Sequence, residues 1–433
     1  MGENFLPELY SMSIHPYLGP FPPLLDENGN SIEHPSSESE MELAYETADP
    51  LAESWLQPLK VTLFLLLLYS AYYQYVMVKK PKVVCHDPGR MEDLKKHCPV
   101  LFEKYRLTPW APNAYMQTIL RGIFQSLPAH ERRREELTMK SDGGRVCLDW
   151  FNEKTDNQPT VLMLPGITGS SEDNYVCHWV QNMTELGYRS VVFNYRGCSY
   201  KLTTPRMYSG SEIDDLVEVV SHITSKLPRA PLIAIGTSMG TMLLLKYSVE
   251  CKENPFQAIF LISALWDSFE TDRCMYKPLC KYTLSRTLVN SYLGMIKENW
   301  SVFEESDKKG ELPFDLQEAL NIRDMRTLVD KVIAPMFGRN NNKGACEACY
   351  SHSRVDDLTV PILALNAADD PLTSTNVIPE QEAKHNTNLM LVTTERGGHI
   401  GFMEGVLPFK KTLIDRALIQ FARAVFEHDA FSR

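Results

Sequence analysis

The 19 residues LIAIGTSMGTMLLLKYSVE, at 232–250, restrict the fold more than any other stretch of this chain. An apolar run of strand length ends in Gly236-Thr237-Ser238-Met239-Gly240 and continues at once as an apolar, helix-forming run. Strand can reverse into helix over so few residues only through a tight turn whose apex takes up a strained backbone. Glycines on either side remove the side chains that would collide where strand and helix cross. Ser238 then stands at the apex with its hydroxyl exposed, and the amide of Met239 points to the same side. Within such a strand–turn–helix frame, Gly-x-Ser-x-Gly presents a nucleophilic serine. Outside it, the same five residues arise by chance.

The rest of the chain fits that frame. Short apolar runs at 146–151, 160–164, 190–194, 258–263, 362–366 and 388–393 alternate with amphipathic stretches such as 212–226. This alternation predicts βαβ units and a mostly parallel sheet. Between 264 and 360 the pattern changes to aromatic-rich helical sequence, with Trp266, Tyr276, Tyr282, Tyr292, Trp300 and Phe303. A long insertion between two strands of such a sheet is expected to lie over the site as a lid, at about 266–358.

A serine hydroxyl needs a base to take its proton. On a sheet of this kind the acid and the base follow the serine in that order. The run 362–366 leads into Ala367-Ala368-Asp369-Asp370-Pro371-Leu372, and His399 follows the last apolar run in Arg396-Gly397-Gly398-His399-Ile400-Gly401. Small neighbours let that loop carry an imidazole over the turn. Of the two adjacent carboxylates, Asp370 is the expected partner of His399, because Leu372 two residues on can pack beneath it. Asp369 is left to hold the loop. The role expected of Asp370 is to fix the tautomer of His399 and stabilise the imidazolium. The hole for a developing oxyanion needs two N–H donors. Met239 supplies one; Ile167 or Thr168, in Leu164-Pro165-Gly166-Ile167-Thr168-Gly169-Ser170-Ser171, supplies the other.

Residues 61–78 read VTLFLLLLYSAYYQYVMV, without a charge. As a helix they extend about 27 Å, close to the thickness of a bilayer's hydrocarbon core. Trp55 before them and Tyr72, Tyr73 and Tyr75 at their end are typical interfacial residues. A transmembrane anchor is therefore expected at 58–80, preceded by a disordered acidic arm at 1–57, rich in Pro, Ser and Glu. Lys79, Lys80, Lys82, Arg90, Lys95 and Lys96 follow the span, and only Lys60 precedes it closely. This bias places the downstream domain in the cytosol. The sequons at Asn182 and Asn299 would matter only in a lumen. A net charge of −11 with no basic patch argues against nucleic acid as a partner. Ten dispersed cysteines do not make a disulfide scaffold. Cys346 and Cys349 form a close pair at the spacing of half a zinc site or a redox pair, but with no second pair at metal-ligand spacing nearby they read as ordinary thiols on a loop.

Together LPGITGSSEDNYV, NYRG, GTSMG, NAADDPL and RGGHIGFMEG resemble the α/β-hydrolase-domain-containing family, in the branch of its members one to three. The resemblance covers about 95–425, and the preceding span also matches that branch. One departure is Thr241, where glycine or another small residue is expected after Gly240. The resemblance implies an α/β-hydrolase fold with a helical lid, preceded by one transmembrane helix. It implies a triad of Ser238, Asp370 and His399, no metal or organic cofactor, and activity on acyl esters of membrane lipids, phospholipids or acylglycerols. An intracellular membrane such as the endoplasmic reticulum is the expected location. Acyl transfer to an alcohol through the same acyl-enzyme, and a silent binding module on the same scaffold, are the alternative functions.

Overall fold

The computed structural model describes residues 50–124, 130–350, 352–408 and 411–431. Most of the expected N-terminal arm lies outside them. The chain divides into two units, Met1–Ser70 and Ala71–Arg433. The described part of the first unit is helical. Helix α1, Pro50–Tyr72, begins inside the stretch expected to be disordered. Its residues from Trp55, with the helical turn Tyr73–Met77 that follows, are long and apolar enough to cross a membrane.

The second unit is built on nine strands: β1 (Lys82–Cys85), β2 (Arg133–Thr138), β3 (Arg145–Phe151), β4 (Thr160–Leu164), β5 (Arg189–Asn194), β6 (Leu232–Thr237), β7 (Ile259–Ile262), β8 (Ile362–Ala367) and β9 (Leu389–Thr394). They form one sheet in the order β1-β9-β8-β7-β6-β4-β5-β3-β2. The six strands from β9 to β5 in that order run parallel, while β1, β3 and β2 pair antiparallel at the two edges. The central strands bury both faces. Leu162 and Leu164 belong to one core cluster, and Val161 and Met163 belong to the other. Burial on both sides explains why these strands read as unbroken apolar runs.

Seven of the strands were legible as apolar runs. The two that were not, β1 and β2, are edge strands. β2 reads RREELT, and charge on an edge is what keeps an open sheet from pairing with another chain. Further helices that bear on the site are α2 (Ala114–Phe124), α3 (Asn174–Glu185), α4 (Asp214–Lys226), α5 (Met239–Glu250), α6 (Ser268–Met275), α7 (Arg286–Glu298) and α8 (Leu413–His428). The insertion between β7 and β8 is helical, as its sequence predicts. Its aromatic Tyr292 and Phe303 are buried in the same core cluster as the face of the sheet beneath.

Candidate active site

Parallel strands end on the same edge of a sheet, and ligand sites of such sheets lie beyond their carboxyl ends. β4 leads there into 165–171, β6 into Ser238, β8 into Asp369 and Asp370, and β9 into the loop carrying His399. Four segments far apart in sequence therefore converge.

The turn at Ser238 is built as its glycines suggest. Ser238 has φ 51° and ψ −117°, a strained conformation for a residue with a side chain. A Cβ on Gly240 would stand 2.4 Å from the carbonyl oxygen of Leu164, and one on Gly236 would stand 2.8 Å from Leu244 Cδ1. Thr241, the departure noted in the sequence, has a structural reason. Its hydroxyl donates to the carbonyl of Ser238 and accepts from Leu265 N–H at 3.1 Å, tying the turn to the end of β7.

The imidazole of His399 lies between the two groups expected for it. Nε2 is 2.8 Å from Ser238 Oγ, and Nδ1 is 2.8 Å from Asp370 Oδ2. All three residues are buried. The other oxygen of Asp370 accepts from Leu372 N–H at 2.8 Å, which fixes the carboxylate plane. Asp369 takes the other part: its Oδ1 accepts from Gly398 N–H at 2.9 Å and holds the histidine loop. Burial, together with the neighbouring Asp370, raises the Asp369 carboxyl above its ordinary value, against the pull of the Gly398 amide.

What holds that loop was not legible in the sequence. One face of α2, at positions 114, 117, 118 and 121, lies against it. His399 N–H donates to Thr118 Oγ1 at 2.9 Å, Met403 N–H donates to Gln117 Oε1 at 2.8 Å, and Arg121 donates to the Ile400 carbonyl. A Cβ on Gly398 would lie 2.3 Å from the Ala114 carbonyl oxygen, so only glycine fits there. Ser263 Oγ, at the end of β7, accepts from Ile400 N–H at 2.9 Å. Thr118 is a positioning residue on this geometry. Thr118→Val, which keeps shape but removes the acceptor, should lower kcat on a soluble ester by about tenfold, the cost of a lost half-buried hydrogen bond. KM should stay within about twofold, and Thr118→Ser should restore kcat.

Three phenols suspend the segment 165–171. Tyr195 Oη donates to Pro165 O at 2.8 Å, Gly166 N–H donates to Tyr175 Oη at 2.9 Å, and Thr168 N–H donates to Tyr208 Oη at 2.7 Å. Of the two amides expected as oxyanion donors in this loop, that of Thr168 thus already has an acceptor in Tyr208. The amide of Met239 opens α5, and a first-turn amide has no acceptor inside its own helix. Below the loop, Asp149 gathers Arg134, Ser171 and Asn194. Burial alone would raise its carboxyl. The Arg134 guanidinium and the Ser171 hydroxyl outweigh that and hold it below the ordinary range.

Two cavities meet at Ser238 and Ile167. One, of about 460 Å³, is bounded by Thr118, Arg121, Leu284, Thr287, Leu288 and His399. The other, of about 130 Å³, enters the insertion between Met239, Met242, Leu265, Met275, Tyr292 and Ile333. Cys346 and Cys349 also line it. Burial pushes their thiols up to about 12 and about 11, so both are protonated near neutral pH. Among the described residues no group of three or more His, Cys, Asp or Glu side chains gathers to hold a metal.

A mostly parallel sheet with a serine on a strained turn, and a histidine delivered from beyond its last parallel strand, is the architecture of the α/β-hydrolases. The comparisons agree, and the chain belongs to that family: residues 159–406 match the family described as alpha/beta hydrolase fold. Phospholipase ABHD3 of Mus musculus is 35% identical, over 83% of this chain and 88% of its own. Embryogenesis-associated protein EMB8 of Picea glauca is 30% identical, over 75% of this chain and 72% of its own. Monoacylglycerol lipase ABHD2 of Danio rerio is 26% identical, over 79% and 85%. Among solved structures, alpha/beta hydrolase domain-containing protein 10 from mouse overlays with a TM-score of 0.43 at 15% identity, covering 69% of this chain and 99% of that one.

Proposed function

We propose that this chain is a membrane-anchored serine hydrolase that cleaves carboxylic acyl esters of lipids, phospholipids or acylglycerols. The observation that carries the reading is the buried relay of Ser238, His399 and Asp370, with 2.8 Å at each step. Ser238 Oγ attacks the ester carbonyl while His399 Nε2 takes its proton. Asp370 keeps the ring in the tautomer that leaves Nε2 free to accept, and it stabilises the imidazolium. The amides of Met239 and Ile167 receive the oxyanion. Collapse releases the alcohol, which leaves with the proton from His399, and an acyl-enzyme remains. Water activated by the same imidazole then frees the fatty acid.

Relatives named phospholipase and monoacylglycerol lipase support a lipid substrate. So does a cavity walled by Met239, Met242, Met275 and Met325, since thioether side chains adapt to apolar chains of varied shape. A single span fits such a substrate because it keeps the enzyme beside the bilayer. Two observations favour the cytosolic side. All ten cysteines are free thiols. Both sequon asparagines are buried and bonded inside the fold, Asn182 to Asp415 and Asn299 to Leu202 and Met295, where no glycan fits.

The test is hydrolysis by the full-length protein in proteoliposomes carrying phosphatidylcholine or diacylglycerol, with products resolved by mass spectrometry. Release of free fatty acid by wild type and not by Ser238→Ala is expected. An alkyl ester as the main product, when a primary alcohol is added at millimolar concentration, would make the protein an acyltransferase. No product from either lipid would remove lipid esters as its substrate.

A further inference from the structure

The helical turn Tyr73–Met77 closes the candidate span, and it is sewn to two loops. Tyr73 Oη donates to Leu107 O at 2.7 Å, and Arg106 reaches Gln74 Oε1 at 3.3 Å. Leu107 in turn bridges Glu404, and Gly405 N–H donates to Arg106 O at 3.2 Å. The indole N–H of Trp110 donates to Val406 O at 2.6 Å. Segments 72–77, 106–110 and 404–407 are thus held side by side by hydrogen bonds.

Their outer side is apolar. Val406 is 65% exposed and Leu407 66%, and Trp110, Tyr72, Tyr75 and Val76 are exposed beside them. Two consecutive aliphatic side chains, two thirds exposed next to a tryptophan and two tyrosines, do not suit a surface that faces only water. The composition is that of the bilayer interface, where indoles and phenols settle at the headgroup level. The position agrees. A helix that crosses a bilayer over Trp55–Met77 ends in the headgroup layer, and whatever is bonded to its last turn lies in the same layer. Trp110 also leads into α2, on which Met116 and Ile119 are exposed. On the same helix Thr118 and Arg121 line the larger cavity at Ser238.

We infer that Trp110, Val406 and Leu407 form a second, monotopic membrane contact, whose occupant is the lipid surface that supplies the substrate. The inference rests on the lipid-ester reading above. Its role is to seat the domain on the bilayer with α2 at the lipid surface, so that an ester passes from the headgroup layer into the cavity without crossing water.

The test uses the full-length protein in phosphatidylcholine vesicles. Val406→Glu combined with Leu407→Glu should lower hydrolysis of vesicle lipid by about tenfold, because two carboxylates are driven from the interface. Hydrolysis of water-soluble p-nitrophenyl butyrate should stay within about twofold of wild type, since neither side chain touches the site. Lipids brominated on their acyl chains should quench a tryptophan signal that Trp110→Phe removes. An unchanged rate on vesicles would overturn the proposal. So would an equal loss on both substrates, which would mean that the loop serves the nearby histidine. A dimer in detergent that the double variant splits, with vesicle activity intact, would make the patch a contact between copies and also overturn it. The quenching separates the two readings: a protein that cleaves only the soluble ester but shows quenched Trp110 has lost the lipid substrate and kept the membrane contact.

Discussion

Asp370→Asn should lower ester hydrolysis by about 10⁴-fold while the fold survives. An amide in place of the carboxylate offers its N–H₂ or its oxygen to His399 Nδ1. The first forces the ring into the tautomer that cannot take a proton from Ser238, and the second leaves the imidazolium without its counter-charge. Asp369→Asn is the matched control one residue away. Asn Oδ1 can still accept from Gly398 N–H, so activity should change by less than about tenfold. The pH dependence of stability separates them further. The Asp369 carboxyl is raised in the folded protein by burial and by Asp370. A carboxyl raised on folding favours the fold while protonated, and that contribution is lost as pH rises through its folded value. The asparagine variant carries no such loss. Its melting temperature relative to wild type should therefore climb from about pH 4 towards neutrality, in thermal melts at fixed ionic strength.

Gly240→Ala should be among the most damaging single-methyl additions to this protein. The new Cβ meets Leu164 O at 2.4 Å and Pro165 O at 2.9 Å, both backbone atoms of the neighbouring strand end. Neither is the tip of a flexible side chain, so β4 and α5 have to separate. That costs about 3 kcal/mol or more. The separation also moves 165–171, and with it the Ile167 amide, so surviving protein should hydrolyse ester at least about 100-fold more slowly. Gly294→Ala is the comparison. Gly294 lies in α7 with no atom near its would-be Cβ, so alanine there should be neutral or stabilising by up to about 1 kcal/mol. Thermal unfolding of the two variants beside wild type checks the contrast.

The parts legible in the sequence are those whose signal is local. β4 and α5 were placed to the residue, because a strand buried on both faces and a helix opened by a glycine turn each write their pattern into consecutive positions. Asp370 over Asp369 was legible for the same reason, since Leu372 follows two residues on. The missed parts depend on contacts between distant segments. Thr118 accepts from His399 across 281 residues, and nothing in the spacing of α2 announces it. The acceptor of the Thr168 amide, the Tyr208 hydroxyl, lies 40 residues away and was equally invisible. Tyr195, quoted only as part of NYRG, proves to carry the Pro165 carbonyl. Helix α1 starts at Pro50, ahead of the uncharged run at 61–78 that carried the sequence signal.

If Ser238 is a nucleophile activated by His399, it should react covalently with an electrophilic phosphonate. The membrane-bound protein would be treated with a fluorophosphonate, digested, and the adduct located by mass spectrometry. One phosphonylated serine, Ser238, is expected, with loss of labelling in His399→Gln. An adduct at another residue, or no adduct in protein shown by its melting transition to be folded, would mean that Ser238 is not an activated nucleophile.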